Sequence, residues 1–320
     1  MLELKSFLKL TKKKEKMEQN KIVVTGGSGM VGKSLKKIMP NAIYLSSSDY
    51  NLTTERGVAQ MYHDLKPHTV IHLAAKVGGI IDNINNPYTY FTDNILMNSL
   101  LVEYARFHGV ERFIGILSTC IYPDVVEEYP MTEDMLHDGP PTPTNFSYGY
   151  AKRCLAVQID ACNKEHGTNY QYLTPCNLYG EHDKFGENSH FVAALIKKIH
   201  QAKSTGEDKI TLFGTGTPLR QFMHSSDLAR VIKMCLDEDI YDSFNVATEQ
   251  NVSIDDIART ALRACGAERM KIEYDSTKPD GQFRKDVSVE KMKKIFPEFK
   301  ATRLYHGIGS TYSILQQSWK

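Results

Sequence analysis

The chain has 320 residues, so we expect one large domain or two unequal ones. With 41% hydrophobic residues, 24% charged residues and a formal net charge of +1, it has an ordinary globular composition and no global field toward nucleic acid or anionic lipid. No apolar run approaches the length of about 18 residues that a membrane span needs. We therefore expect no nucleic-acid or membrane partner, and any anionic ligand must be held by a local site.

The first 20 residues contain a lysine-rich run and no secretory signal, so we expect a disordered tail and folded structure from about Lys21. The six cysteines form no CxxC pair and show no spacing typical of metal ligands. We therefore expect reduced thiols, no metal site and a cytoplasmic protein.

Short β-branched runs alternate with amphipathic stretches of helical length in the first half of the chain. The predicted strands are Lys21–Thr25, Ala42–Ser46, Thr69–Leu73, Arg112–Leu117 and Tyr170–Thr174. The predicted helices between them are Met30–Met39, Thr54–Leu65, Tyr90–His108 and Tyr148–His166. This alternation is typical of βαβ units, and it predicts an α/β fold with a Rossmann-type, doubly wound parallel sheet over residues 21–175.

The alternation becomes less regular after Pro175. Helical patterns surround short strands and a Gly/Pro-rich segment, and the predicted helices there are His190–Lys203, Ser225–Leu236 and Ser253–Ala264. We expect residues 176–221 and 251–320 to form a smaller C-terminal substrate-binding lobe, with the chain returning to the sheet near residues 222–250.

A glycine-rich turn joins the first predicted strand to the first predicted helix. In it, Gly26 permits a tight turn, Gly29 lets the backbone approach a pyrophosphate, and Gly32 lets helix and strand pack closely. The helix N-terminus adds free N–H groups and the positive end of a dipole. The turn therefore predicts a dinucleotide site, in the glycine spacing that short-chain dehydrogenases use.

The residues at the end of the second predicted strand bear on the choice of cofactor. Dinucleotide enzymes that use NAD carry an acid about 20 residues after the turn, whereas this chain has Ser46-Ser47-Ser48 there. An uncharged strand end favours the 2′-phosphate of NADP(H). Asp49 lies just beyond and leaves NAD as the alternative, while Lys33 or Lys36 could supply a cation for the phosphate.

A Tyr-x-x-x-Lys pair, Tyr148 and Lys152, falls on one face of a predicted helix. A nearby ammonium is expected to lower the pKa of the phenol from about 10 toward neutrality, so that the tyrosine can exchange a proton with an alcohol or a ketone. Ser118, at the end of the fourth predicted strand, is placed to bind the substrate oxygen. The glycine turn, the serine and the Tyr/Lys pair together predict a reductase site.

Three segments carry a narrower pattern: Leu73–Gly79, Leu117–Pro123 and Pro175–Gly180. With them the chain resembles, from about Lys21 to its C-terminus, the extended short-chain dehydrogenases/reductases that act on nucleotide sugars. Within that group it is similar to the GDP-L-fucose synthase family. The resemblance implies NADPH-dependent conversion of GDP-4-keto-6-deoxy-D-mannose to GDP-L-fucose, by 3,5-epimerisation followed by 4-keto reduction.

The resemblance also implies an acid/base pair that inverts the two carbons flanking the ketone. Cys120 and His190 match the pair of the family, with His182 as the alternative base. Removing a proton beside the ketone gives an enolate, whose oxygen Ser118 and Tyr148 would bind. A thiol with a pKa of about 8.5 and an imidazole with a pKa of about 6.5 can both exchange protons near neutral pH.

The resemblance assigns further residues to the two ligands. The cofactor-binding residues would be Gly26, Ser28, Gly29, Met30, Val31, Gly32, Ser47, Leu52, Ala74, Ala75, Leu117, Lys152, Pro175 and Asn177. The substrate-binding residues would be Ser118, Asn177, His190, Lys198, Phe213, Arg220 and Asp280. Lys198 and Phe213 stand where an arginine and a tryptophan are common in the family, which affects ligand detail more than substrate class.

Two asparagines and two helices complete the comparison with the family. Asn94 and Asn98 match positions that organise the site, and exposed helix residues are the alternative interpretation. The helices predicted over Tyr90–His108 and Tyr148–His166 could form a two-fold four-helix interface, so we expect a homodimer.

Two other functions stay open at this point. One is another nucleotide-sugar 4-epimerase or a 4,6-dehydratase, although a dehydratase is expected to carry acidic residues where this chain has Cys120. The other is an NADP-binding regulatory protein without catalysis, which the presence of Ser118, Tyr148 and Lys152 disfavours.

Overall fold

The computed structural model describes residues 21–183, 185–186, 189–278 and 280–318, and the tail predicted over residues 1–20 lies outside them. The strands are β1 (Ile22–Thr25), β2 (Ile43–Tyr44), β3 (Thr69–His72), β4 (Arg112–Ile116), β5 (Gln171–Pro175), β6 (Asn177–Tyr179), β7 (Lys209–Phe213), β8 (Leu219–Arg220), β9 (Phe222–His224), β10 (Phe244–Val246), β11 (Val252–Ser253) and β12 (Lys271–Asp275). The α-helices are α1 (Met30–Ile38), α2 (Glu55–Leu65), α3 (Ile80–Asn85), α4 (Pro87–Phe107), α5 (Phe146–His166), α6 (Phe191–Thr205), α7 (Ser225–Asp237), α8 (Ile254–Ala264), α9 (Glu290–Ile295) and α10 (Leu304–Ser318). Short 3-10 helices span Thr119–Ile121, Glu133–His137 and Pro143–Asn145.

The central sheet has six parallel strands in the spatial order β2-β1-β3-β4-β5-β10. From β1 the chain adds β2 on one side and then β3, β4, β5 and β10 on the other. Because crossovers between parallel strands are right-handed, connections that run in opposite directions place their helices on opposite faces of the sheet. Strands β3 and β4 are buried along their whole length, as is typical of a parallel sheet covered on both faces. The predicted α/β fold with a doubly wound parallel sheet is confirmed.

A second apolar core lies outside the central sheet. It is formed mainly by side chains of α6, α8 and α10 and of the parallel pair β7–β12, with Ile196, Ile199, Ile257, Ala261 and Ile308 fully buried. Two further short pairs lie outside the central sheet, the parallel pair β6–β9 and the antiparallel pair β8–β11. None of the helices in the described ranges is long and apolar enough to cross a membrane.

Element bounds differ from the sequence-based prediction where local hydrogen bonding competes with periodicity. The helix predicted from Tyr90 begins at Pro87, because proline is favoured in the first helical turn. The second predicted strand stops at Tyr44, because Ser46 enters a turn in which the Asp49 carboxylate accepts its N–H at 2.7 Å. Helices α3, α9 and α10 and the strands from β6 to β12 have no counterpart with stated bounds among the predicted elements.

A buried hydrogen-bond network joins β1, β3, α4 and α5. His72 Nδ1 lies 2.9 Å from Thr25 Oγ1, and His72 Nε2 lies 2.9 Å from Asn98 Oδ1. The Asn98 amide also donates to the carbonyl of Ala151 at 3.0 Å. Burial, assisted by the positive charge of Lys152, lowers the pKa of His72 to about 3.

Acid should therefore destabilise the protein through His72. The folded state keeps this imidazole neutral to a pH of about 3, whereas the unfolded chain protonates it below a pH of about 6.5. The unfolded state binds more protons in that window, so His72 should lower the free energy of unfolding by about 1.4 kcal/mol per pH unit below about pH 6. Urea unfolding at several pH values should show a steeper loss of stability in the wild type than in His72→Gln. The exposed-site variant His63→Gln should keep the wild-type slope, and equal slopes for wild type and His72→Gln would contradict the assignment.

Candidate active site

The glycine turn between β1 and α1 is packed too closely for side chains. A Cβ on Gly26, whose φ is +69°, would lie 2.7 Å from the backbone nitrogen of Ala74. A Cβ on Gly32 would lie 2.6 Å from the Cα of Gly27. Gly29 is the N-cap of α1, and the first turn of this helix contains no acidic residue. The turn thus leaves a helix N-terminus open to an anionic group, as a pyrophosphate site requires.

The predicted cofactor residues lie at the carboxyl ends of neighbouring parallel strands. Ala74 and Ala75 follow β3, Leu117 follows β4, Pro175 ends β5, and Asn177 begins β6. Because the ends of β1, β3, β4 and β5 form one edge of the sheet, these residues are brought to the same side as the glycine turn. The residues present fit a dinucleotide.

The turn after β2 determines which charges face the adenosine end of such a ligand. Ser47 and Ser48 are exposed, and Leu52 is buried behind them. The Asp49 carboxylate accepts hydrogen bonds from both N–H and Oγ of Ser46, each at 2.7 Å, and these bonds lower its pKa. Asp49, the residue for which NAD stays the alternative cofactor, is therefore hydrogen-bonded within its own turn.

Ser118 and Cys120 share a short structure directly after β4. Ser118 is the N-cap of the 3-10 helix Thr119–Ile121, and its Oγ accepts the N–H of Cys120 at 3.3 Å. Ser118 also hydrogen-bonds to the side chains of Cys120 and Tyr148, and each of these bonds acts to lower the pKa of the group concerned. The predicted strand-end serine, thiol and phenol are thus brought together.

Tyr148 and Lys152 lie one turn apart on α5, and both are buried. Burial, together with the nearby Cys120, raises the pKa of Tyr148 above its usual value, and a hydrogen bond with Ser118 only partly opposes this. Lys152 Nζ donates to the carbonyl of Ile116 at 2.8 Å, and burial lowers its pKa to about 8. The expectation that the lysine lowers the pKa of the phenol is wrong for this structure, because desolvation dominates and the ammonium binds the backbone.

Close packing fixes the Cys120 segment against α5. A Cβ on Gly149 would lie 2.5 Å from the carbonyl oxygen of Cys120, so only glycine permits this approach. The buried side chain of Arg153 donates through Nε to the carbonyl of Ile121 at 2.8 Å and through Nη1 to that of Gly139 at 2.9 Å. The position of the thiol is therefore determined by helix packing and not by a free loop.

Within the described residues, two side-chain nitrogens lie near the sulfur of Cys120, in addition to the hydroxyl of Ser118. Lys285 Nζ lies 3.0 Å from Sγ, and Asn145 Nδ2 lies 3.5 Å from it. Burial acts to raise the pKa of the thiol, but the positive charge of Lys285 and the hydrogen bonds to the sulfur outweigh it, and the net pKa is lowered. A lowered pKa favours the thiolate, which is the form of a cysteine that can accept a proton.

The two candidate histidines have different neighbours. His190 is the N-cap of α6, and its Nδ1 lies 2.8 Å from Oδ1 of the buried Asp183. His182 Nε2 lies 3.9 Å from Glu181, and burial lowers the pKa of this histidine. Glu181 also binds Lys37 and so belongs to an ion-pair cluster. A carboxylate that orients the imidazole is typical of a histidine that transfers protons, which favours His190 over His182.

Two predicted substrate residues form an exposed aromatic platform. Phe213 ends β7 with 65% of its surface exposed, and Lys198 Nζ lies 5.1 Å from the centre of its ring. The same ammonium donates to the carbonyl of Thr211 at 2.8 Å. An exposed ring beside a fixed cation is suited to a flat, electron-rich base.

The other predicted substrate residues continue from this platform toward the thiol. Asp280 accepts hydrogen bonds from N–H and Oγ1 of Thr215, at 2.6 and 2.8 Å. Arg220 donates to the carbonyl of Leu219 at 2.7 Å, and burial lowers its pKa against the opposing charges of Cys120 and Asp280. Arg220 therefore lies near both Cys120 and Asp280.

The two asparagines of α4 are both buried, so the alternative of exposed helix residues is wrong. Asn94 accepts the N–H of Lys76 and donates to its carbonyl, each at 3.0 Å, which holds the loop after β3. Asn98 belongs to the His72 network described above.

Sequence reasoning missed several residues that complete the site. Lys285 and Asn145 bind the sulfur of Cys120, Asp183 orients His190, and Arg153 secures the 3-10 helix. Lys285 is 165 residues from Cys120 in sequence, so no local pattern could reveal the contact. Asp183 stands seven residues before His190, and an acid that close to a candidate histidine is a signal that the sequence does contain.

Known proteins resemble this chain in sequence and in structure. The sequence profile of the NAD dependent epimerase/dehydratase family matches residues 22–247. A GDP-L-fucose synthase of Dictyostelium discoideum is 35% identical over 307 residues, covering 92% of this chain and 94% of the relative. A probable GDP-L-fucose synthase of Drosophila melanogaster is also 35% identical, covering 91% and 95%. The crystal structure of a GDP-L-fucose synthetase from Naegleria fowleri bound to NADP superimposes with a TM-score of 0.85 at 31% identity, covering 94% of each chain.

A side chain at Gly32 should weaken dinucleotide binding. In Gly32→Ala the added methyl would meet the backbone of the glycine turn at 2.6 to 2.7 Å, so the turn must move. Fluorescence titration with NADPH should show at least a tenfold loss of affinity, which is about 1.4 kcal/mol. Gly79→Ala is the matched control, because its methyl would meet no atom within 4 Å. Unchanged affinity of Gly32→Ala would place the dinucleotide elsewhere.

Proposed function

Because the chain belongs to the NAD dependent epimerase/dehydratase family, we propose that it converts GDP-4-keto-6-deoxy-D-mannose to GDP-L-fucose, by 3,5-epimerisation and NADPH-dependent 4-keto reduction. Relatives that cover more than nine-tenths of the chain are named for this activity. The observation that carries the proposal is a thiol of lowered pKa held beside Ser118 and Tyr148. A simple reductase has no need of that thiol.

NADP(H) would lie along the sheet edge, with its pyrophosphate on the N-terminus of α1 and its 2′-phosphate near Ser47. When bound, it supplies the hydride for the carbon of the ketone. Gly26, Gly29 and Gly32 keep side chains out of the cradle. Lys152 is placed by the Ile116 carbonyl at the end of β4, next to Ser118.

Epimerisation needs a base and an acid on opposite faces of each inverted carbon. Cys120 removes a proton beside the ketone, and His190, oriented by Asp183, returns one from the other side. The enolate oxygen accepts hydrogen bonds from Ser118 and Tyr148, which stabilise the charge that develops there. The raised pKa of Tyr148 suits this part, because a phenol that stays protonated can donate.

Reduction uses the same phenol as an acid. As the ketone becomes an alkoxide, Tyr148 transfers its proton to that oxygen, and Lys152 stabilises the phenolate left behind. The pKa of Lys152, lowered to about 8 by burial, still keeps most of its ammonium charged at neutral pH.

The GDP part would extend from the reaction centre to the rim of the smaller core. Arg220 would bind the pyrophosphate, Phe213 would stack on the guanine, and Lys198 and Asp280 would line the nucleotide. Residues 176–221 and 251–320 would thus act as the substrate-binding lobe. Asn177, whose amide donates to the carbonyl of Gln221 at 3.0 Å, connects the cofactor edge to this region.

We also propose a cytoplasmic homodimer. All six cysteines are free thiols, which suits a reducing compartment. Helices α4 and α5 pack on each other and leave Leu96, Phe107 and Val157 exposed. A two-fold axis beside these helices would bury such residues in a four-helix interface.

The proposed function is tested by incubation with GDP-4-keto-6-deoxy-D-mannose and either NADPH or NADH, with the product identified by NMR. We expect GDP-L-fucose with one NADPH consumed per product, and weaker binding of NADH because Asp49 is bonded within its own turn. A 6-deoxy sugar with unchanged C3 and C5 centres would refute the epimerase half. Equal affinities for the two cofactors would refute the preference for NADPH.

Replacing Tyr148 with Phe should separate the two halves of the reaction. Ser118 can still bind the enolate oxygen, and loss of one donor costs on the order of 2.7–4 kcal/mol. Reduction loses its acid entirely. NMR in deuterated water should therefore show residual exchange of the protons beside the ketone, while absorbance shows no NADPH oxidation. Phe146→Leu, a change of an exposed aromatic residue at the start of α5, is the control for helix integrity. Substantial NADPH oxidation by Tyr148→Phe would show that another group is the acid.

A further inference from the structure

The contact between Lys285 and Cys120 has no part in cofactor or nucleotide binding as described above. Lys285 Nζ lies 3.0 Å from Sγ, close enough for a direct hydrogen bond to sulfur. Asn145 adds a second donor at 3.5 Å. Both donors come from outside the strand end that carries the thiol.

The backbone around Lys285 is anchored on both sides. Arg284 forms a bidentate pair with the buried Asp286, at 2.6 and 3.0 Å. The carbonyl of Asp286 accepts the N–H of Met131 at 2.9 Å, and the N–H of Val287 donates to Gln221 Oε1 at 2.9 Å. Lys285 is therefore presented by a fixed segment, so no further ordering of the backbone is needed to hold its ammonium at the sulfur.

We propose that Lys285 is a positioning residue that holds Cys120 as the thiolate and so makes it the base of the epimerisation. The inference rests on the proposed function for the identity of the substrate. It does not depend on the substrate for the pairing itself, which the structure shows without any ligand.

The other groups around the sulfur also favour the thiolate form of Cys120. Arg220 adds a second positive charge that interacts with Cys120. Ser118 and Asn145 are neutral hydrogen-bonding partners of the thiol, and Tyr148 lies near enough for its pKa to be raised by Cys120. Burial alone would favour the neutral thiol, and the charge of Lys285 is the largest of the interactions that lower the pKa of Cys120, followed by hydrogen bonds to the sulfur.

The proton balance of the step is closed. The thiolate takes the proton from the carbon beside the ketone, and the C–H electron pair becomes the enolate. A protonated His190 gives its proton to the opposite face of that carbon. The reaction leaves a thiol and a neutral imidazole, and exchange with water restores the thiolate and the imidazolium before the second carbon reacts.

The pairing is tested by the pH dependence of Cys120 alkylation with iodoacetamide, followed by mass spectrometry of the peptide that contains this cysteine. The thiolate is the species that reacts. In Lys285→Met the midpoint should rise by at least about one pH unit, so alkylation at neutral pH should be about tenfold slower. Lys285→Arg should keep a midpoint near the wild type. Lys294→Met removes a lysine from the exposed surface of α9 and should change nothing.

A second measurement connects the pairing to catalysis. Deuterium exchange beside the ketone should be about tenfold slower in Lys285→Met at neutral pH and should recover as the pH rises, with recovery also in Lys285→Arg. An unchanged alkylation midpoint in Lys285→Met would overturn the proposal. A reduced affinity of Lys285→Met for GDP with an unchanged alkylation midpoint would also overturn the proposal, because it would assign Lys285 to ligand binding. If the wild type made no GDP-L-fucose but the midpoint still shifted, the substrate would be wrong and the pairing would stand.

Discussion

The packing of α5 against the 3-10 helix after β4 is the contact on which the reaction centre depends. Gly149 allows the Cys120 carbonyl to approach the helix, and Arg153 binds the last carbonyl of the 3-10 helix. Lys152, on the same helix, binds the end of β4. Ser118, Cys120, Tyr148 and Lys152 thus keep fixed relative positions because one helix is docked on one strand end. A side chain at position 149 would displace the thiol from both hydroxyl groups at once.

Burial at this contact shifts the pKa values of the phenol and of the ammonium in opposite directions. It raises the pKa of Tyr148 and lowers that of Lys152, so desolvation by itself favours neutral side chains. Cys120 departs from this trend, because Lys285 lies at its sulfur. The same apolar surroundings therefore contain a phenol that remains a donor and a thiol that is driven toward the anion. This difference suits the roles proposed for the two groups, Cys120 as the base and Tyr148 as the hydrogen-bond donor.

Much of the fold could be predicted from the sequence, because parallel strands and their crossover helices leave strong local patterns. The first five strands of the sheet and the glycine turn agree with the prediction within a few residues, since short β-branched runs alternate with amphipathic helical stretches there, whereas β10 is not among the predicted strands. Contacts between distant segments could not be found this way. Lys285 reaches Cys120 only because the segment around Val287 is bound to Gln221 and Met131. The pKa of Tyr148 was also misjudged, since spacing shows that a lysine is near but not how deeply the phenol is buried.

The position of Lys285 has a consequence for how the two cores work together. The segment that carries Lys285 begins after Asp280, which binds Thr215 at the proposed nucleotide rim. Near its other end, the N–H of Val287 donates to Gln221, the residue that follows Arg220 of β8. The groups that would hold GDP and the cation that charges the thiol are therefore parts of one connected structure. Asn145, the other donor to the sulfur, lies instead in the 3-10 helix that precedes α5. Cys120 is thus held between the segment that precedes α5 and the 280–288 segment, so a shift of the latter would change the Asp280–Thr215 contact and the donor at the sulfur together.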